Sequence, residues 1–496
     1  MNIPLCFNLG SVREILNDEL SFLKTWLPTW LYIMGLTLKI NLISFFAGYM
    51  EDEYLAGIGL GSTLLIATDL FLVGFTSVFD VYGPQLCGRG LHSQLSRLMV
   101  KVLLQGLTTF LMLTPIFVGM YYSIRYIPLI GEDEESADIK RIAERFLILS
   151  TGLCPLDYVI GVFFKFLIQH RATSTVYGFT VILIFVQCLL GYIFVVLFKM
   201  KTEGIIFSSL FSRLLTIVLS MMTMFYNRTK WQLSIRQVFT SRVFQNFWKM
   251  TKKGVASGLM LLFTIFTFTV AVFLSQVRGR VSLEVITVAL YYSGISLSAG
   301  AAVAVTSAVQ IGNALGSKDE AETRYKIKLS VANLFAERVI FLVVMFLTRR
   351  WYYSLFTHDR IVISDLMESG YIYAGMITFA SIQEVLAGGV LLAFGKTSLI
   401  SSLTIACSCL VGLPLTLGLV FTTDLTAIAF FSAMLVEKGI AIVASCFIVV
   451  RLDLSVEIAK CAARLEKEVS DINLDETDGL LFSNPVNSDQ HSINSP

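Results

Sequence analysis

Charge is what this 496-residue sequence has least of. Only 15% of its residues are Asp, Glu, Lys or Arg, where soluble domains carry about a quarter. Histidine is nearly absent. The four, His92, His170, His358 and His491, fall in loops, at span ends or in the tail, and none stands with a nucleophile or a metal-ligand cluster. That excludes the usual constellations of hydrolytic and metal-dependent enzymes. There is no phosphate-cradling glycine loop followed by Lys, which removes ATP-driven chemistry as well. The eight cysteines show no paired spacing, and Cys154, Cys188, Cys407, Cys409 and Cys446 lie in apolar stretches, so neither disulfides nor zinc are indicated. The net charge of +2 carries no nucleic-acid footprint, because the basic residues sit between apolar blocks. No cofactor, no metal and no enzymatic activity are expected.

What is present is apolar sequence in blocks. Hydrophobic residues make up 55% of the chain. The stretch 26–50 holds one charge, Lys39, and 399–421 holds none. Roughly 20 apolar residues cross a bilayer as a helix, and only helices and closed barrels satisfy their own backbone in lipid. The blocks lack the alternation of a barrel strand. The expected fold is therefore an all-α polytopic membrane protein of about twelve transmembrane helices. They are placed near 22–48, 55–82, 99–122, 146–168, 176–198, 204–226, 254–276, 284–311, 327–348, 370–394, 399–421 and 427–450. Residues 1–21 form an N-terminal segment, 227–253 a polar connection, 452–469 an amphipathic helix on the membrane surface, and 470–496 a disordered tail. With the N-terminus inside, inner loops carry about twice as many Lys and Arg as outer ones, which places both termini in the cytoplasm. The plasma membrane is the default location, with vacuolar or lysosomal membranes as alternatives.

The two halves repeat. The second block ends Tyr82-Gly-Pro-Gln-Leu-Cys-Gly88 and the eighth ends Gln310-Ile-Gly-Asn-Ala-Leu-Gly316. Setting Gly88 on Gly316 sets Gln85 on Asn313, and a basic loop follows both. The fourth and tenth blocks end Phe166–Arg171 and Val390–Gly395 at nearly the same offset. Six spans per copy give two lobes of like orientation, related by a pseudo-two-fold axis along the membrane normal, with a cavity between them.

From about 22 to 455 the chain resembles the multidrug and toxin extrusion (MATE) family, in its eukaryotic form. Val305–Asp319 (VTSAVQIGNALGSKD) resembles the family stretch ending RVGNALGAG. Phe356-Thr-His-Asp359 resembles FTTD, and Gly388–Gly395 (GGVLLAFG) followed by Val411-Gly-Leu-Pro-Leu415 resembles GVLRGCG and VGLPLG. Val450-Arg-Leu-Asp453 resembles RTDW, and Phe79–Gln85 resembles ALDTLCGQ. The resemblance implies a monomeric secondary antiporter. It would export organic cations, xenobiotics or amphiphilic metabolites in exchange for protons or sodium by alternating access, with membrane lipid around it. The chain departs from the family where the second lobe carries its acids. Those positions align with Thr264, Thr269, Tyr291 and Ala380. Hydroxyls do not bind and release protons usefully at neutral pH, so the alternative is a MATE-like uniporter or a lipid or metabolite carrier without proton coupling.

Ionisable side chains in a bilayer are costly and are functional candidates by default. Glu384, beside Gln383, lies one turn beyond Ala380 and is the candidate replacement for the lost acids. Asp69 and Asp80 share a face of the second span, with Asp69 expected to pair with Lys39 and Asp80 to cap or bond near the inner end. Asp157 follows Pro155 and faces either the first-lobe cavity or the freed backbone. Lys165 is expected to snorkel to the headgroups. Glu337 and Arg338, and Glu437 and Lys438, are adjacent in sequence, so each is expected to point a different way and pair across helices. Gln187 binds either substrate or a neighbouring helix. Tyr291 and Tyr292, in mid-span, each want a partner.

Overall fold

The computed structural model describes residues 12–47, 50, 52–88, 92–123, 134–170, 172–231, 247–277, 280–354, 359–423 and 426–463. Among them, twelve helices are long and apolar enough to cross a membrane. The first six are α1 (Asp18–Ala47), α2 (Gly57–Cys87), α3 (His92–Gly119), α4 (Lys140–Gln169), α5 (Thr173–Leu197) and α6 (Lys201–Tyr226). The second six are α7 (Met250–Val272), α8 (Val288–Gly316), α9 (Glu320–Ser354), α10 (Arg360–Leu391), α11 (Thr397–Thr422) and α12 (Ala427–Arg451). Each overlaps one of the apolar blocks. Hydroxyls inside the spans back-bond to their own helix, as Thr216 does to the Ser212 carbonyl at 2.9 Å and Thr29 to that of Thr25 at 2.8 Å. A polar side chain is thereby tolerated in an apolar helix.

Four spans depart from regular α geometry, and α5 is one of them, ending in a π segment over Tyr192–Leu197. α4 is interrupted by a 3₁₀ turn at Thr151–Leu153, and Pro155 sits at the start of the helix that resumes, where its missing donor is not needed. α10 changes to π geometry over Val385–Leu391, directly after Glu384, and α11 does so over Ser408–Gly412, just before Pro414. A π turn holds one residue more than the regular ladder and is often found at functional sites.

The helices sort into two groups of six. In the first, α2 packs on α3 and α4, α5 on α6 and α1 on α5; in the second, α8 packs on α9 and α10, α7 on α11 and α10 on α12. The groups meet through α1 against α8 and through α2 against α7 and α8. Small residues allow this approach: a Cβ on Gly74 of α2 would fall on the Gly258 backbone of α7, and one on Gly258 would come 2.6 Å from the Phe71 carbonyl. Trp30 donates to Ser298 Oγ at 3.1 Å and Trp26 to the Ala299 carbonyl at 3.3 Å, tying α1 to α8. Large apolar side chains such as Leu111, Phe185, Leu347 and Leu410 face outward, as lipid-facing helices require.

After α12, residues 454–463 are helical. This falls within the amphipathic segment read from the sequence, and one face of the helix packs on protein. Leu454, Glu457 and Cys461 are all buried, and Glu457 accepts hydrogen bonds from Lys396 at 2.9 Å and Lys460 at 3.0 Å. Burial favours the neutral acid, but the two ammonium groups outweigh it and hold this carboxyl below its ordinary range. Residues 470–496 lie outside the described residues.

Candidate functional site

Charged side chains inside the spans gather into two centres, one per lobe. In the first, Asp157 of α4 is the hub. Arg213 of α6 donates from Nε to Oδ1 at 2.9 Å and from Nη2 to Oδ2 at 3.0 Å, a two-pronged grip on one carboxylate. Lys39 of α1 donates to Oδ1 at 2.7 Å. Asp157 stands in the first turn of the helical segment that resumes after the 3₁₀ turn at Thr151–Leu153. Lys39 therefore pairs with Asp157, and not with Asp69 as the sequence suggested. Asp69 lies next to Cys154, near the Lys39–Asp157 pair, and its Oδ1 is buried without a hydrogen bond. Gln187 of α5 donates to the Lys39 carbonyl at 3.2 Å and to Ser209 Oγ at 3.3 Å, so its amide joins helices.

Asp80 and Lys165 depart from expectation together. Lys165 Nζ lies 2.5 Å from Asp80 Oδ2 and 2.6 Å from Thr76 Oγ1. It turns inward to the carboxylate instead of reaching for headgroups, because an apolar interior strengthens an ion pair relative to water.

The second centre is built from five helices around Glu384 of α10. On α9, Arg338 grips the carboxylate of its own neighbour Glu337 and reaches the Ser296 carbonyl of α8 at 3.3 Å. On α12, Glu437 takes hydrogen bonds from Thr267 of α7 at 2.9 Å, from Ser408 of α11 at 3.0 Å and from its neighbour Lys438 at 3.0 Å. Adjacent residues thus pair with each other here, contrary to the reading that they must diverge. Their Cα–Cβ bonds do diverge, but long side chains fold back across that angle. Glu437 also pairs across helices, as expected. It lies so close to α11 that a Cβ on Gly412 would overlap its carboxylate.

Glu384 lies in the electrostatic reach of both Arg338 and Lys438, yet among the described residues it makes no hydrogen bond. Gln383 beside it is buried. The bookkeeping of charge is simple. In the first centre Lys39 and Arg213 face Asp69 and Asp157. In the second, Arg338 and Lys438 face Glu337, Glu384 and Glu437, so one carboxylate is in excess, and the two cations already hold the other two. The internal repeat brings Asp157 and Arg213 to within three residues of Glu384 and Lys438. The two lobes hold corresponding groups in different states, bonded in one and open in the other.

The tyrosines stand apart from these charges. Tyr292 is buried against Tyr352, Tyr353 and Tyr373, with ring centroids 4.3, 5.7 and 5.9 Å away. The side chain of Tyr291 lies outside the described residues, as do residues 356–358 of the FTTD-like motif. Ser296, Thr267 and Ser408 were missed by sequence reasoning. Nothing marks these hydroxyls among the many others in the spans, since their importance comes from which helix lies opposite. Among the described residues no cluster of three or more His, Cys, Asp or Glu has the arrangement of a metal site.

Two lobes of six helices, an ionic centre inside each and apolar outer faces define a membrane transporter of the two-lobe type. The MatE family pattern matches residues 256–417. The chain is 22% identical to Protein DETOXIFICATION 21 of Arabidopsis thaliana, over 87% of this chain and 86% of that one. It is also 22% identical to human multidrug and toxin extrusion protein 1, over 87% of this chain and 74% of that one. By these matches the chain is similar to members of the multidrug and toxin extrusion family. Its fold matches the crystal structure of the eukaryotic MATE transporter AtDTX14 with a TM-score of 0.81, 15% identity, and coverage of 90% of this chain and 99% of that one. A MOP superfamily transporter from Pyrococcus furiosus, described as having a binding pocket of reversed polarity, matches in fold with a TM-score of 0.72 at 15% identity, over 89% and 96% of the two chains.

Proposed function

We propose that the protein exports a small organic cation or amphiphile in exchange for a proton or sodium ion, by alternating access between its two lobes. The observation that carries this reading is Glu384. It is the carboxylate left over when the second centre's charges are paired, and it has no fixed hydrogen bond to give up. A group of this kind lets a counter-ion and a cationic substrate compete for one negative charge. Asp157, by contrast, is gripped by Arg213 and Lys39 and serves as structure. The N-terminal lobe spans about 22–226 and the C-terminal lobe 254–451. Both termini are placed in the cytoplasm by the Lys/Arg bias, and the protein works as a monomer, in the plasma membrane by default.

The test is flux of a fluorescent organic cation in proteoliposomes with and without a proton or sodium gradient. Glu384→Gln should abolish gradient-driven flux while protein yield and insertion stay normal. Unchanged gradient-driven flux in that variant would sink the reading. The uniporter alternative is favoured by Thr264, Thr269 and Ala380 standing where the family carries acids. It predicts flux in the parent protein that ignores both gradients.

A further inference from the structure

The repeated motifs that end α2 and α8 meet each other. A Cβ on Gly312 would come 2.8 Å from Pro84 Cβ, and one on Gly316 would come 2.6 Å from the Gln85 carbonyl. Lys253, at the start of α7, donates to the Tyr82 hydroxyl at 2.5 Å. The two lobes are therefore shut against each other at this end. At the centre of the contact, Gln85 is fully buried and donates from Nε2 to the carbonyl of Ala393 at 3.0 Å. Its Oε1 has no partner. Ala393 ends the helical stretch begun by α10, so its carbonyl is one of those with no acceptor role inside the helix. A side chain from the opposite lobe supplies the missing donor.

The same stretch carries Glu384 nine residues earlier, roughly 13 Å along the axis at 1.5 Å per residue. Between the two lies the π turn Val385–Leu391. Gly389, inside that turn, is held against Ala304 and Ser307 of α8, to which an added Cβ would come within 3.3 Å. Ser307 Oγ is buried without a partner, so it adds no hydrogen bond to this packing. A π turn relaxes to regular α geometry by passing its extra residue on, which rotates and shifts everything beyond it.

We propose that Gln85 is the gate residue through which the first lobe reads the position of α10. While the Ala393 carbonyl is in place, the end where α2 and α8 finish stays shut. When the π turn relaxes, the carbonyl is withdrawn and that end opens. That Glu384 drives the relaxation rests on the function proposed above; the Gln85–Ala393 hydrogen bond and the π turn are observed independently of it.

Cys87, half-buried two residues from Gln85, reports on the gate. With Cys6, Cys188, Cys409 and Cys446 replaced by Ser, the remaining thiols besides Cys87 are buried, and alkylation of Cys87 by a hydrophilic maleimide is timed in the full-length protein. Gln85→Met, of similar size but without a donor, should raise the rate at least about fivefold. Deletion of Gly388, which removes the extra residue of the π turn without touching the gate, should raise it by a similar factor. If the Met variant fails to insert, Gln85→Glu replaces it, and a monodisperse peak is required of every variant. A parental alkylation rate in either the gate variant or the deletion overturns the proposal. The flux of Glu384→Gln is read separately: unchanged flux there with fast alkylation in both gate variants refutes the coupling role of Glu384 and leaves the gate standing.

Discussion

Arg213 holds both carboxylate oxygens of Asp157, at 2.9 and 3.0 Å, from a helix two spans further along the chain. With Lys39 on the same carboxylate, this cluster ties α1, α4 and α6 into one unit. Removing one partner of a buried pair leaves an uncompensated charge and costs about 3–5 kcal/mol. Arg213→Met should therefore lower the unfolding midpoint in detergent sharply. Arg213→Lys should recover only part of the loss, because an ammonium lacks the planar fork. The double variant Asp157→Asn with Arg213→Gln should be more stable than Arg213→Met alone. If all three variants match the parent, the cluster has no structural role.

The Gly74–Gly258 approach is backbone against backbone, and neither side has a flexible atom to move. Gly74→Ala and Gly258→Ala should each force α2 and α7 apart, at the cost of about 1–3 kcal/mol typical of overpacking. Because this is where the lobes touch, faster Cys87 alkylation should accompany the lower midpoint. A stability loss with unchanged alkylation would show that the contact does not help to close that end.

His170, at the end of α4, stacks on Trp231 at 5.0 Å and on His92 at 5.4 Å. Burial, then the neighbouring His92 and Lys230, push its pKa down to about 4, from an ordinary value near 6.5. The folded state thus prefers the neutral ring. That contribution is fully present above about pH 6.5 and is lost as pH falls from there toward 4. The unfolding midpoint should drop between pH 7.5 and pH 5, and the drop should be smaller in His170→Phe, which keeps the stack without the titration. Equal drops in the two proteins would rule His170 out.

Most of the fold was legible because the bilayer's requirement is local. A block such as 399–421, with no charge over a membrane's thickness, has to be helical whatever surrounds it. The repeat was legible too, and Gly316 in its second copy sits where the Gln85 carbonyl leaves no room for a side chain. The candidate acids were found because each is rare inside a span. Their partners were not. Depth alone suggests Asp69 as the partner of Lys39, while the fold puts Asp157 of α4 within 2.7 Å of it. Lys165 was sent to the headgroups because a lysine near a helix end usually goes there, yet Asp80 lies 2.5 Å away.

From sequence alone came the twelve spans, their two-fold repetition and the scarcity of buried charge, because hydrophobic length and residue type act one segment at a time. Only the tertiary structure decided which acid is bonded and which is open. Asp157 and Glu384 are both single carboxylates in apolar helices, indistinguishable by composition. Their difference arises from the helices packed opposite: α6 brings a guanidinium fork onto Asp157, while Arg338 and Lys438 are already turned to their own neighbours and leave Glu384 without a partner.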